Sequence, residues 1–139
     1  MQYLETQRDK VQTFFLLDTL EYMKKGGRCS AITAFGANLL GIKPSIRNTP
    51  DGTLLVDKKY RGKLNGIRKQ FVDDIIVGDH IDYSRIIVAH SGMPQEEFDE
   101  VIDHIRENYA FKDIILCRAG CTISTHCGPA TLGVQFMYL

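Results

Sequence analysis

Apolar and polar positions along this chain alternate between helical and strand-like spacing. Residues 2 to 11 are charged and mildly periodic, which predicts an exposed or loosely docked helix. Thr13-Phe14-Phe15-Leu16-Leu17 is a short apolar, aromatic run and reads as a buried strand. Asp18 and Thr19 then open a short helix from Leu20 to Lys25, with Asp18 as N-cap, and Gly26-Gly27 stops it. Ser30 is placed to cap a second helix, from about Ala31 to Leu40, whose residues are almost all small or apolar. A helix apolar on most faces is normally buried. Residues 44 to 47 and 54 to 57 flank Asn48-Thr49-Pro50-Asp51-Gly52, a turn signal that predicts a β-hairpin.

The second half of the chain repeats the alternation. Residues 63 to 75 carry Leu64, Ile67, Phe71 and Val72 on one helical face. Arg85 to His90 reads as a buried strand. Pro94 starts a helix running to about Asn108, with Phe98, Val101, Ile102 and Ile105 at helical spacing. Asp113 to Cys117 is the next strand, a polar, glycine-bearing loop follows, and Leu132 to Tyr138 closes as the last strand. Helices alternate with strands, yet a hairpin is present. That order predicts an α/β (α+β) domain of two layers, with a mixed sheet and helices on at least one face.

Composition narrows the partners more than the fold. At 139 residues the chain is expected to be a single domain over 1–139 that can bury a core without staples. Net charge is zero, so no general electrostatic pull toward nucleic acid or an anionic membrane is expected. No apolar run approaches the roughly 20 residues that span a bilayer. The polar start, Met1 to Glu5, carries no signal-peptide pattern. The cysteines at 29, 117, 121 and 127 form no C-x-x-C pair, which suits reduced thiols in a cytoplasmic protein.

Three segments could carry chemistry. In Lys24-Lys25-Gly26-Gly27-Arg28 the glycines allow a sharp turn and close approach to a ligand, and a guanidinium beside them can grip a carboxylate through two hydrogen bonds. The alternative is a helix stop followed by a solvated arginine. The segment from Ala119 to Gly133 gathers hydroxyls, His126 and small residues that expose backbone N–H groups suited to an anion. It could equally be a tight loop whose hydroxyls satisfy their own backbone. Cys121, His126 and Cys127 lack the paired spacing of a zinc site, and no metal or cofactor is expected. A thiol nucleophile at Cys127 assisted by His126 is disfavoured because sequence neighbours in an extended loop point apart. His80 and His104 have bland readings, and His90 ends a strand, where it could approach a ligand. No phosphate-binding or kinase motif occurs.

Four blocks resemble those of the DegV family. Phe15 to Arg28 is similar to its "LDTLEYLKKGGR" segment, Asn38 to Pro44 to "LLNIKP", Arg61-Gly62-Lys63 to "RGR", and Ser124 to Gly133 to "GTHTGPGALG". They stand in family order and span about residues 13 to 138. The resemblance implies a DegV C-terminal domain, with about six strands and helices mainly on one face, and with the N-terminal DegV domain absent from this chain. It also implies a long-chain fatty acid as ligand, its tail in an apolar tunnel and its carboxylate held by Arg28, His126 and Thr125. Such bacterial proteins are expected to present the acid to a fatty acid kinase and to carry the acyl-phosphate, without being enzymes themselves. Ser124 and Ala130 depart from the family pattern, since glycine is usual at both positions. Two further readings are an interaction module that self-associates through its exposed domain face, and a small-ketone-binding subunit of a dihydroxyacetone-kinase-like enzyme.

Overall fold

The computed structural model describes residues 2–27 and 41–139. The helix expected over 31–40 and the residue Arg28 lie outside the described residues. The elements run α1 (Gln2–Gln7), a 3-10 turn (Arg8–Lys10), β1 (Val11–Leu16), α2 (Glu21–Lys25), β2 (Ile42–Asn48), β3 (Leu54–Arg61), α3 (Leu64–Ile75), β4 (Ile81–Ser91), α4 (Gln95–Asn108), β5 (Asp113–Arg118), α5 (Cys121–Cys127) and β6 (Thr131–Tyr138). The strands form one six-stranded mixed sheet in the order β3-β2-β1-β6-β4-β5. All neighbours are antiparallel except β4 and β5, which are parallel and joined through α4. The expected α/β architecture with a mixed sheet is the one observed.

The main core lies between one face of the sheet and the two long helices. Phe14 and Leu16 of β1, Leu132, Val134 and Phe136 of β6, and Ile86 and Val88 of β4 meet Ile67, Phe71, Val72 and Ile75 of α3 and Phe98, Val101, Ile102 and Ile105 of α4. Those helical positions recur every three to four residues, so one stripe of each helix is removed from water. Arg68 lies inside this layer at 1 % exposure, where its guanidinium pairs with Glu97 and donates to Asn65 Oδ1 at 2.8 Å. It joins α3 to α4 where a solvated arginine would not.

A second, smaller cluster packs elsewhere: Leu17, Leu20, Met23 and Ile46, with Phe15, Leu54, Val56 and Cys127 against them. Phe15 alternates with Phe14 and Leu16 along β1, so its side chain leaves the opposite face of the sheet. Two short helices, α2 and α5, contact each other at the end of the sheet where β1 and β4 finish and β6 begins.

Several local expectations are corrected. Asp18 does not cap α2: Leu20 occupies that position, and the Asp18 carboxylate pairs with Lys43 from β2. A long-range ion pair has displaced a local cap. Strand β4 begins at Ile81, earlier than the apolar run suggests, because the register with β6 shifts between Asp82 and Ile87 and leaves Ser84 and Arg85 exposed. The polar segment after β5, expected as a loop, contains the helix α5.

Candidate functional site

Helix α5 exists despite a poor helical sequence. Its residues, Cys-Thr-Ile-Ser-Thr-His-Cys, include three β-branched side chains and no apolar stripe. Glycines bracket it: Gly120 is the extended N-cap, and Gly128, at φ 80°, ends it in the left-handed region. Two of its hydroxyls donate to backbone carbonyls. Thr125 Oγ1 donates to Cys121 O at 2.7 Å, and Ser124 Oγ to Ala119 O at 3.2 Å. The exit is fastened to the sheet. Ser91, buried at the end of β4, donates to Gly128 O at 2.6 Å, and Thr131, buried at the start of β6, reaches Cys127 O at 3.1 Å and Gly128 O at 3.2 Å. These contacts satisfy carbonyls that a helix end leaves without intrahelical partners.

The two short helices interlock through glycines. A Cβ placed on Gly26, the C-cap of α2, would lie 2.9 Å from His126 Cε1 and nearer still to Nδ1. A Cβ placed on Gly128, the C-cap of α5, would lie 2.8 Å from two atoms of the Tyr22 ring and nearer to a third. Each helix therefore lays an aromatic ring against the backbone at the other's exit, a closeness that only glycine permits. His126 is half-buried, and its Nδ1 is inaccessible with no hydrogen-bond partner among the described residues.

Of the three residues expected at a carboxylate, His126 and Thr125 stand on α5, beside the exit of α2. Thr125 is exposed, and its proton is occupied by its own helix, leaving the hydroxyl's lone pairs toward solvent. Arg28 follows Gly27 directly in the chain, outside the described residues. Ser124 occupies ordinary helix and has no need of glycine, whereas Ala130 sits at φ 61°, where glycine would be relaxed.

The thiols and remaining histidines fit structural positions. Burial pushes the Cys127 thiol upward, away from the thiolate a nucleophile needs. His90, next to last in β4, has its ring tilted against Phe98 at 4.5 Å, and its Nδ1 accepts from the Met93 amide at 3.1 Å. Burial, and then the charge of Arg118 on β5, lower the pKa of His90 below its usual value. His104 Nε2 lies 2.7 Å from Asp73 Oδ1 between α4 and α3. Among the described residues, no group of three or more His, Cys, Asp or Glu side chains is gathered as a metal would require.

The strand register places mostly apolar residues in line across the second face of the sheet, with small ones between larger neighbours. One transverse rung reads Val56, Ile46, Phe15, Gly133, Ala89, Cys117, and the next reads Thr13, Gln135, Ile87, Ile115. Gly133 and Ala89 are the smallest residues of that line, and their size makes a shallow furrow between Phe15 and the β5 edge. Phe15, Ala89, Ile87 and Ile115 are all only half-buried. A lone glycine inside a strand pattern is the signal that could have located this dip from sequence. Tyr22 and Ser91 carried no comparable signal, because their roles depend on contacts between distant segments.

The family model described as "Uncharacterised protein, DegV family" matches residues 1–139. A DegV domain-containing protein of Clostridium perfringens is 31% identical over 137 residues, covering 97% of this chain and 46% of that protein. The solved structure of a DegV family protein from Thermus thermophilus, described by its fatty acid binding, superimposes with a TM-score of 0.81 at 23% identity, over 99% of this chain and 49% of that one. The Fatty Acid Kinase (Fak) B3 protein of Streptococcus pneumoniae, solved loaded with linoleic acid, gives 0.75 at 19% identity, over 98% and 47% of the two chains. This chain thus spans about half the length of the relatives it matches, and within that span it belongs to the DegV family.

Proposed function

We propose that this chain binds a long-chain fatty acid, the tail along the furrow on the second face of the sheet and the carboxylate at the α2–α5 exits. The observation that carries this reading is the interlock of α2 and α5, which sets the half-buried His126 ring against Gly26 at the end of the sheet whose second face carries the half-buried Phe15, Ala89 and Ile87. Burying an acyl chain gains roughly 0.8 kcal/mol per methylene, but its carboxylate cannot enter an apolar interior without partners. A polar terminus on an apolar trough meets both demands. Arg28 joins His126 as the carboxylate's partner in this reading, and Thr125 does so only by turning its hydroxyl proton away from Cys121 O.

The role is that of a carrier, not an enzyme, located in the cytoplasm. Burial raises the pKa of the Cys127 thiol beside His126, which disfavours the thiolate that a nucleophile there would need. No helix among the described residues is long and apolar enough to cross a membrane. The bound acid would be presented to a fatty acid kinase and returned as acyl-phosphate, in keeping with the similarity to the Fak B3 protein. Because the furrow stays half-open, a second wall from another domain would tighten binding, and the present chain alone should bind weakly.

Calorimetric titration of the lipid-free chain with linoleate, together with mass spectrometry of lipid extracted after expression, tests this. Weak saturable binding and a co-purifying fatty acid are expected. Absence of both, here and in a chain that includes any preceding domain, would refute it.

A further inference from the structure

Gly26 does not need to be glycine for conformational reasons. Its φ of −79° and ψ of 1° are open to any residue, whereas the next residue, Gly27 at φ 72°, supplies the left-handed turn that ends α2. What Gly26 provides is space. Its bare Cα faces the His126 ring, with Nδ1 the atom nearest the position a side chain would occupy. That same Nδ1 is buried and finds no partner among the described residues.

A proton on Nδ1 would strand a buried N–H donor, and stranded donors are the rarer defect in folded proteins. A bare Nδ1 strands only a lone pair, and the proton then resides on Nε2. We propose that Gly26 is a positioning residue: its missing side chain seats the His126 ring with Nδ1 inward, fixing the tautomer protonated at Nε2, so that His126 meets the ligand as a hydrogen-bond donor. Tyr22, seated in turn against Gly128, holds α5 in the register that keeps the ring there. This inference rests on the fatty acid reading for the nature of the ligand, but the seat itself is a property of the lipid-free chain.

The donor role decides what the site accepts. A carboxylate, or the acyl-phosphate it becomes, offers only acceptor oxygens and so matches an Nε2–H. A fatty alcohol or a fatty amide can match it through one oxygen but lacks the charge that strengthens the bond.

Two measurements test the proposal. Nitrogen-15 spectra of the His126 ring in the lipid-free 139-residue chain should show Nε2 protonated and Nδ1 bare. Gly26→Ala, which leaves the backbone unstrained, should move those resonances toward a mixture of tautomers while the rest of the amide spectrum stays in place. In parallel, linoleate titration should distinguish two replacements at His126. Gln places an amide nitrogen near the position of Nε2 and Asn near that of Nδ1, so His126→Gln should retain affinity while His126→Asn and Gly26→Ala lose about tenfold to a hundredfold. A wild-type ring protonated at Nδ1, a tautomer unmoved in Gly26→Ala, or Asn matching Gln would each overturn the proposal. If neither this chain nor one that includes a preceding domain binds linoleate, the fatty acid reading fails, and the nitrogen spectra alone decide on the seat.

Discussion

Gly128 O is a buried acceptor served by two hydroxyls, and that redundancy predicts a specific form of non-additivity. Ser91 Oγ donates to it at 2.6 Å and Thr131 Oγ1 approaches at 3.2 Å, both from side chains 4 % exposed. Thr131 has one proton, which it shares between Gly128 O and Cys127 O at 3.1 Å. Removing one hydroxyl leaves the other in place, so Ser91→Ala and Thr131→Val should each cost about 1 kcal/mol, the net worth of one hydrogen bond. Removing both strands the carbonyl, and a buried group without a partner costs about 1–3 kcal/mol by itself. The double variant should therefore lose about 1 kcal/mol more than the sum of the singles. Equilibrium urea unfolding of the four proteins closes the cycle. Additivity within about 0.5 kcal/mol, the behaviour of independent sites, would show that the two hydroxyls do not share this acceptor and that α5 is not fastened to the sheet as described.

Two further predictions concern the same end of the sheet. Ala130 holds φ 61°, which costs an L-residue about 1–2 kcal/mol, while glycine loses about 0.4–1 kcal/mol more chain entropy on folding. Ala130→Gly should thus stabilise the chain by roughly 0.5–1 kcal/mol in urea unfolding, and a measurable loss would place the strain elsewhere. His90 has a folded-state pKa below the 6.5 of its ordinary state, from burial first and Arg118 second. The unfolded chain therefore binds its proton more readily, so this contribution is complete above pH 6.5 and is lost as pH falls from there through the depressed folded value. His90→Asn keeps an acceptor for the Met93 amide and should flatten that part of the stability profile. Parallel profiles for the two proteins would count against the assignment.

What the sequence made legible follows from where each signal resides. The apolar stripes of α3 and α4 and the Pro-Asp-Gly turn are local patterns, and the structure reproduces them within a residue or two. Helix α5 carries no stripe because it docks by its ends: Gly120 and Gly128 bracket it, and Ser91 and Thr131 hold its carbonyls. Its threonines and serine read as turn chemistry, and the hydroxyls of Ser124 and Thr125 do bond to backbone, but from within a helix. Asp18 failed as a cap for a related reason, since its partner Lys43 is distant in sequence. At the site, His126 and the glycines were visible as a family pattern. The reason for those glycines was not, because it consists of two rings from separate helices lying against two backbones.

The division of labour between the sheet's faces explains why a site of this kind sits easily on this fold. The face under α3 and α4 buries the large aliphatic and aromatic side chains, with Phe71, Val72, Ile86, Val88, Leu132 and Val134 fully enclosed. That burial carries most of the hydrophobic free energy of folding. The opposite face is left half-open where Gly133 and Ala89 adjoin, and those residues contribute little to either core. An acyl tail bound on that face, as proposed, could therefore enter and leave without loosening the layer that keeps the chain folded. The polar end is built separately again, on two short helices fixed by glycine contacts and carbonyl locks. Substitutions that fill the furrow and substitutions that loosen the α3–α4 layer act on different sides of one sheet, so ligand affinity and global stability should respond to them independently.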